Sequence, residues 1–162
     1  MTLHLYFLRH GKALSRAEWL EEDGLRPLTE DGERVMYAEA RSMRARGLRP
    51  DVIITSPLAR ARRTAEIVAD ELGLRDRLID DVRLAHGFDA RALAKVVAGH
   101  ADAAHVLVVG HEPEFSVTVA QLIGGGRLDM KKGGLARVDV RGPDLDGGVL
   151  VWLLTPAQLA GG

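Results

Sequence analysis

The sequence predicts an α/β fold: a three-layer sandwich with a mostly parallel central sheet flanked by helices. Three observations predict it. Short apolar runs rich in β-branched residues (LHLYFL, DVIITS, HVLVVG) alternate with longer segments of helical periodicity. Threonine, serine, aspartate or proline stands where each helix would open, and glycine where several would close. Two last apolar runs around RGPDLDGG read as a hairpin, which puts an antiparallel edge on the sheet.

The first strand covers residues 3–8 and runs straight into Arg9, His10 and Gly11. After the polar stretch SRAEWLEEDGLRP, Thr29 caps a helix over 30–46, in which Val35, Met36, Ala40 and Met43 share a face and Gly47 is the stop. DVIITS is the second strand. Ser56 and Pro57 then read as the cap and first turn of a second helix that reaches Leu72, before Gly73. A weak strand over 78–84 precedes a helix opened by Asp89. HVLVVG is the clearest buried strand, and Pro113 suits the first turn of a helix to Ile123, broken by the glycines at 124–126. GLARVDV and GVLVWLLT complete the hairpin. No linker, repeat or low-complexity segment divides the chain, so residues 1–162 read as one domain.

A net charge of -1 exerts no global pull on nucleic acid or an anionic membrane. No segment approaches the ~18 apolar residues of a membrane span, and the amino terminus lacks the pattern of an export signal. A cytoplasmic monomer is therefore expected, without nucleic-acid or membrane partners. The absence of cysteine excludes disulfides, thiol catalysis and thiolate metal sites. No histidine pair has helical ligand spacing with a carboxylate, so neither a metal nor another cofactor is expected.

Ligands of open α/β sheets gather outside the carboxyl ends of the parallel strands. Three strands here end in FLRHG, ITSPLAR and VVGHEP. If they are neighbours, His10, the helix after Ser56 and His111 meet at one edge, with Arg60 about one turn along that helix. A lone histidine at a strand end is ordinarily structural; two histidines and two arginines together are not. Paired guanidiniums repel and are costly to bury without an anion, and a phosphoryl group fits their forks. Imidazole can attack phosphorus at neutral pH and leave again. The second histidine can donate to the phosphoryl oxygens. Gly11 would let the chain turn and approach the phosphate without a side chain.

LRHGKA, SPLARARRTAE and VVGHEPE resemble the signature segments of the histidine phosphatase (phosphoglycerate mutase-like) superfamily. The shortness of the chain, RPLTEDG and the late MKKGGLARV resemble its small SixA-type phosphohistidine phosphatase branch. The resemblance implies that His10 is the nucleophile, that Arg9 and Arg60 bind phosphate, and that His111 is the second histidine. It also implies that the Gly11 carbonyl orients the nucleophile's ring. Larger members carry a glutamate as general acid, often in an insertion. Here the matching stretch RLAHGFDARALAK is short, which implies no cap domain; His86 stands near that position, and Glu112 and Asp89 are the nearby acidic residues. Alkoxide, comparable to hydroxide with a conjugate-acid pKa of ~16, needs protonation to leave. Imidazole, with a pKa of ~6.5, leaves readily. A pocket without cap or strong acid therefore suits phosphohistidine on a signalling protein such as a histidine phosphotransfer domain. A small phosphorylated metabolite is the alternative substrate, and a non-catalytic phosphoprotein-binding module the alternative class.

The remaining residues take plainer readings. Ser56 is a helix cap. Arg62 points away from Arg60, whereas Arg63 reaches the pocket rim and, with Gly11 and Glu112, is expected to contact substrate. His4 and His105 sit at the far ends of their strands, ~20 Å from His10 and His111 at ~3.3 Å per residue, and read as structural or exposed. His100 ends a helix. Lys131 and Lys132 are surface charge that could help an acidic partner dock.

Overall fold

The computed structural model describes residues 1–161. Its central strand is β1 (Thr2–Arg9), which pairs in parallel with β4 (His105–Gly110) and antiparallel with β5 (Leu135–Arg141). Outside β4 lie β2 (Val52–Thr55) and β3 (Leu78–Asp80), both parallel to it; outside β5 lies β6 (Asp146–Leu154), antiparallel. The order is β3-β2-β4-β1-β5-β6. The mostly parallel sheet with an antiparallel edge is therefore as the sequence predicts.

Alternation along β1 builds two cores. Leu5 and Phe7 pack on one face with Leu93 and Val96 of α3 (Ala90–Ala98) and Phe115 and Val119 of α4 (Glu114–Leu122). Tyr6 and Leu8 pack on the other with Met36, Ala40 and Met43 of α1 (Glu30–Ala45) and Ala61, Ala65 and Val68 of α2 (Ala59–Leu72). Thr29 caps α1 by accepting the Gly32 amide at 2.8 Å, and Asp89 caps α3 by accepting that of Ala92 at 2.8 Å. Gly73 closes α2 with a left-handed φ of 68°, a conformation that carries little penalty only without a Cβ.

Two local expectations are corrected, and one element is added. The second helix starts at Ala59, with Leu58 rather than Ser56 at the cap position; the residue before a proline is biased to extended backbone, so Ser56 continues the strand's direction. The strand expected over 78–84 stops at Asp80 and becomes a 3-10 turn at Val82–Leu84, which Asp81 caps through the Arg83 amide. A fifth helix, α5 (Pro156–Ala160), is unpredicted: Thr155 and Gln158 form a reciprocal capping box, and Leu159 anchors it in the core.

Register places the site. Arg9 lies beside Gly110, and Thr55 beside Val109, so β1, β4 and β2 end together. The next residues, His10, His111 and Ser56, are joined to this edge by the His10 amide on the Gly110 carbonyl and the Ser56 amide on that of Val109, both at 3.0 Å.

Candidate functional site

His10 is held by its own neighbour. Its Nδ1–H donates to the Gly11 carbonyl at 2.7 Å, which fixes the tautomer and leaves the Nε2 lone pair bare. The Gly11 amide in turn donates to Thr64 Oγ1 at 3.1 Å, and that hydroxyl donates to the Arg60 carbonyl at 2.8 Å. Glycine is required at 11 for a reason other than the turn expected from sequence. Its φ is not in the left-handed region, but a Cβ there would stand 2.8 Å from Met36 Cγ of α1.

His111 faces His10, with ring centroids 5.3 Å apart. Its Nε2 meets Ser56 Oγ at 2.8 Å. That oxygen already accepts the Leu58 amide at 3.2 Å, so its own proton is free to go to Nε2. This tautomer leaves Nδ1–H, which has no partner among the described residues, as a donor. Ser56 thus orients His111 instead of capping a helix. The sequence signal was the strand end itself, shared with His10 and His111.

Both imidazoles are neutral in the free protein. Burial pushes His10 down to about 4, with Arg60, Arg9 and Arg26 adding to the effect against the opposing Gly11 hydrogen bond. Burial, then His10, Arg60 and His86, lowers His111 to about 3.

The guanidiniums are anchored from loops. Arg9 donates through Nη1 to the Met130 carbonyl at 2.8 Å. Arg60 is buried on α2, and its Nη1 and Nη2 reach the carbonyl and a carboxylate oxygen of Asp23 at 3.0 and 3.3 Å. The Nε of each arginine is buried without an acceptor among the described residues. Asp23 belongs to the polar stretch after β1 and also binds Arg26 at 3.0 Å; Arg26 is tied to the Leu14 carbonyl at 2.7 Å. Neither Asp23 nor Arg26 was expected at the site, because nothing local in sequence reports a loop folding back over α2.

Two expected contact residues are otherwise engaged. Arg63 bridges to α1, with Nε on Glu33 at 2.8 Å and Nη2 on Tyr37 at 3.1 Å, and so is not free at the rim. Glu112 accepts the Ser116 amide at 2.8 Å and its hydroxyl at 2.7 Å, closing the first turn of α4. Arg62 turns to Asp80, away from the site. His86 is exposed at the mouth, its ring 5.8 Å from that of His111. Asp89 is spent as a cap.

Such an arrangement can bind a phosphoryl group on two permanent cations and a neutral imidazole donor, and present a second imidazole lone pair to phosphorus. The profile of the histidine phosphatase superfamily (branch 1) matches residues 5–85. An uncharacterized protein of Picosynechococcus sp. is 37% identical over 137 residues, 82% of each chain. The probable phosphoglycerate mutase GpmB of Yersinia enterocolitica is 36% identical over 83 residues, 51% of this chain but only 37% of the mutase. Among solved structures, the protein histidine phosphatase SixA complexed with tungstate superposes with a TM-score of 0.85 at 25% identity, over 97% of this chain and 99% of that one.

Proposed function

The chain belongs to the histidine phosphatase superfamily, and from that premise we propose that it is a metal-independent phosphohydrolase that removes phosphate from phosphohistidine on a signalling protein. His10 Nε2 attacks phosphorus; the substrate's P–N bond breaks as the P–N bond to His10 forms, and the departing ring, protonated on its other nitrogen, leaves as neutral imidazole. Water then attacks the phosphohistidine enzyme, releasing inorganic phosphate and restoring the lone pair. Arg9, Arg60 and the Nδ1–H of His111 hold the phosphoryl oxygens through both steps.

One observation carries the choice of leaving group: the two carboxylates that the sequence places near the leaving group, Glu112 and Asp89, are committed elsewhere, and Glu114 faces His86 at 3.9 Å. Glu112 serves Ser116, and Asp89 caps α3. Partial burial raises the Asp23 carboxyl, but the Arg26 hydrogen bond and the Arg60 and Arg26 charges outweigh it and keep it ionised. An imidazole whose other nitrogen already carries a proton leaves without such an acid, whereas an alkoxide does not. A protein substrate is further supported by three large apolar side chains exposed on the loops at this edge: Leu20, Leu25 and Val82.

A phosphorylated metabolite is the second reading, favoured by the matched mutase and by His86, which could supply the proton from the mouth. The test is turnover on a panel of phosphohistidine protein, phosphoserine protein and alkyl phosphates. Preference for phosphohistidine, unaffected by His86→Ala, supports the proposal. Faster turnover of an alkyl phosphate, lost ~100-fold or more in His86→Ala, matches removal of a general acid and overturns it. Phosphate binding without any turnover would identify a binding module instead.

A further inference from the structure

A cavity of about 570 Å³ opens far from this site, on the sheet face that α1 and α2 only partly cover. His105, the first residue of β4, lines it, ~20 Å along the strand from His111. Its apolar walls are Met43 and Leu48 at the end of α1, Trp152 and Leu154 of β6, and Leu159 of α5. The rings of Tyr6 and Trp152 stand 6.1 Å apart, inclined at 44°.

The polar groups beside these walls satisfy one another. Tyr6 Oη and His105 Nδ1 lie 3.2 Å apart, and the His105 ring stacks on that of His4 at 4.5 Å. His4 Nδ1 meets Asp139 at 2.9 Å, and Asp139 holds Arg137 at 2.9 and 3.0 Å. The rim differs. Arg46 touches only the neutral oxygens of Ser42 and Gln158, at 3.1 and 3.5 Å, and among the described residues neither Arg46 nor Arg49 has a carboxylate partner. Two guanidiniums without a carboxylate partner among the described residues thus border an aromatic and aliphatic hollow.

We propose that this cavity is a second binding site, taking a small amphipathic anion whose flat apolar body lies against Trp152 and whose charged group sits on Arg46 and Arg49. The volume falls within the ~300–1,000 Å³ of small-molecule sites. Guanidinium forks match planar and tetrahedral oxyanions. A nucleobase would need edge partners, and the polar groups here are already bonded to each other. A neutral ligand would leave the rim charge unused.

The test uses the full chain with Trp19→Phe, which leaves Trp152 as the one tryptophan of the two. Its fluorescence is titrated with 8-anilinonaphthalene-1-sulfonate and with N-phenyl-1-naphthylamine, the same ring system without the sulfonate. The sulfonate should bind saturably, and Arg46→Ala/Arg49→Ala should weaken it about tenfold or more, as loss of charge-assisted contacts requires. The neutral amine should bind the two proteins equally. Both arginines are exposed, so the double variant should melt as the parent does. His10→Ala should leave sulfonate binding intact. Equal sulfonate affinity in parent and double variant, unsaturable quenching, or loss of sulfonate binding in His10→Ala would each overturn the proposal.

Discussion

Replacing Ser56 with alanine probes the His111 orientation directly. Among the described residues, the Ser56 hydroxyl is the one hydrogen-bond partner of a buried ring whose other nitrogen has none. Removing it leaves Nε2 unpaired in a site that is 4% exposed, at a cost of about 1–3 kcal/mol. For a chain of 162 residues, each kcal/mol lowers Tm by about 2–4 °C. The catalytic effect is separate. Without the Oγ–H, nothing selects the tautomer that points Nδ1–H at the phosphoryl group. Complete loss of one oxyanion donor costs about 10²–10³ in kcat; partial loss through disorder of the tautomer should cost roughly 10- to 100-fold on the same scale. Thermal unfolding and steady-state turnover on phosphohistidine protein read the two effects, and nitrogen-15 shifts of the His111 ring report the tautomer. A Ser56→Ala protein with wild-type melting, turnover and ring shifts would refute the reasoning.

Three further outcomes follow from the same geometry. Glu39 is fully buried on α1 with neither oxygen partnered among the described residues, and burial pushes its carboxyl up to about 8. The native state therefore holds a proton that the unfolded chain releases near 4.5, and stability should fall by about 1.4 kcal/mol per pH unit as pH rises through that window. Urea midpoints of Glu39→Gln should lose this slope. The depressed His10 and His111 act in the opposite direction: the unfolded chain binds their protons first, so stability should decline as pH falls from 6.5 toward about 4. His10→Gln should remove its share of this acid limb in the same midpoints and leave that of His111. Asp23 is an internal anion on Arg60, so Asp23→Asn should tighten inhibition by tungstate or phosphate, by about threefold or more if its carboxylate competes for the fork; weaker inhibition would show that Asp23 instead holds Arg60 in its binding pose.

The sheet was legible because its information is local. Apolar runs of strand length, each followed by a cap or a glycine, mark β1, β2 and β4, and two strand ends carry His10 and His111. The helix α5 was also marked, since Thr155, Pro156 and Gln158 have the spacing of a capping box, but five residues give too little periodicity to stand out. Ser56 was misread because Ser-Pro is a good helix opening whenever the serine has no better partner; His111, distant in sequence, supplies one. The Asp23–Arg60 contact joins residues 37 apart through an irregular loop, which no period encodes. Glu112 shows the converse: a local bond to Ser116, four residues on, takes a carboxylate that chain position alone would leave for the substrate.

The central claim is that His10 carries the phosphoryl group. The most direct measurement is rapid acid-free quenching after mixing with radiolabelled phosphohistidine protein, followed by peptide mapping of the labelled enzyme. The account predicts acid-labile, base-stable label on the peptide containing His10, chased by water on the timescale of turnover and absent from His10→Ala. Label at any other residue, or a His10→Ala protein that still acquires label and turns over, would contradict it.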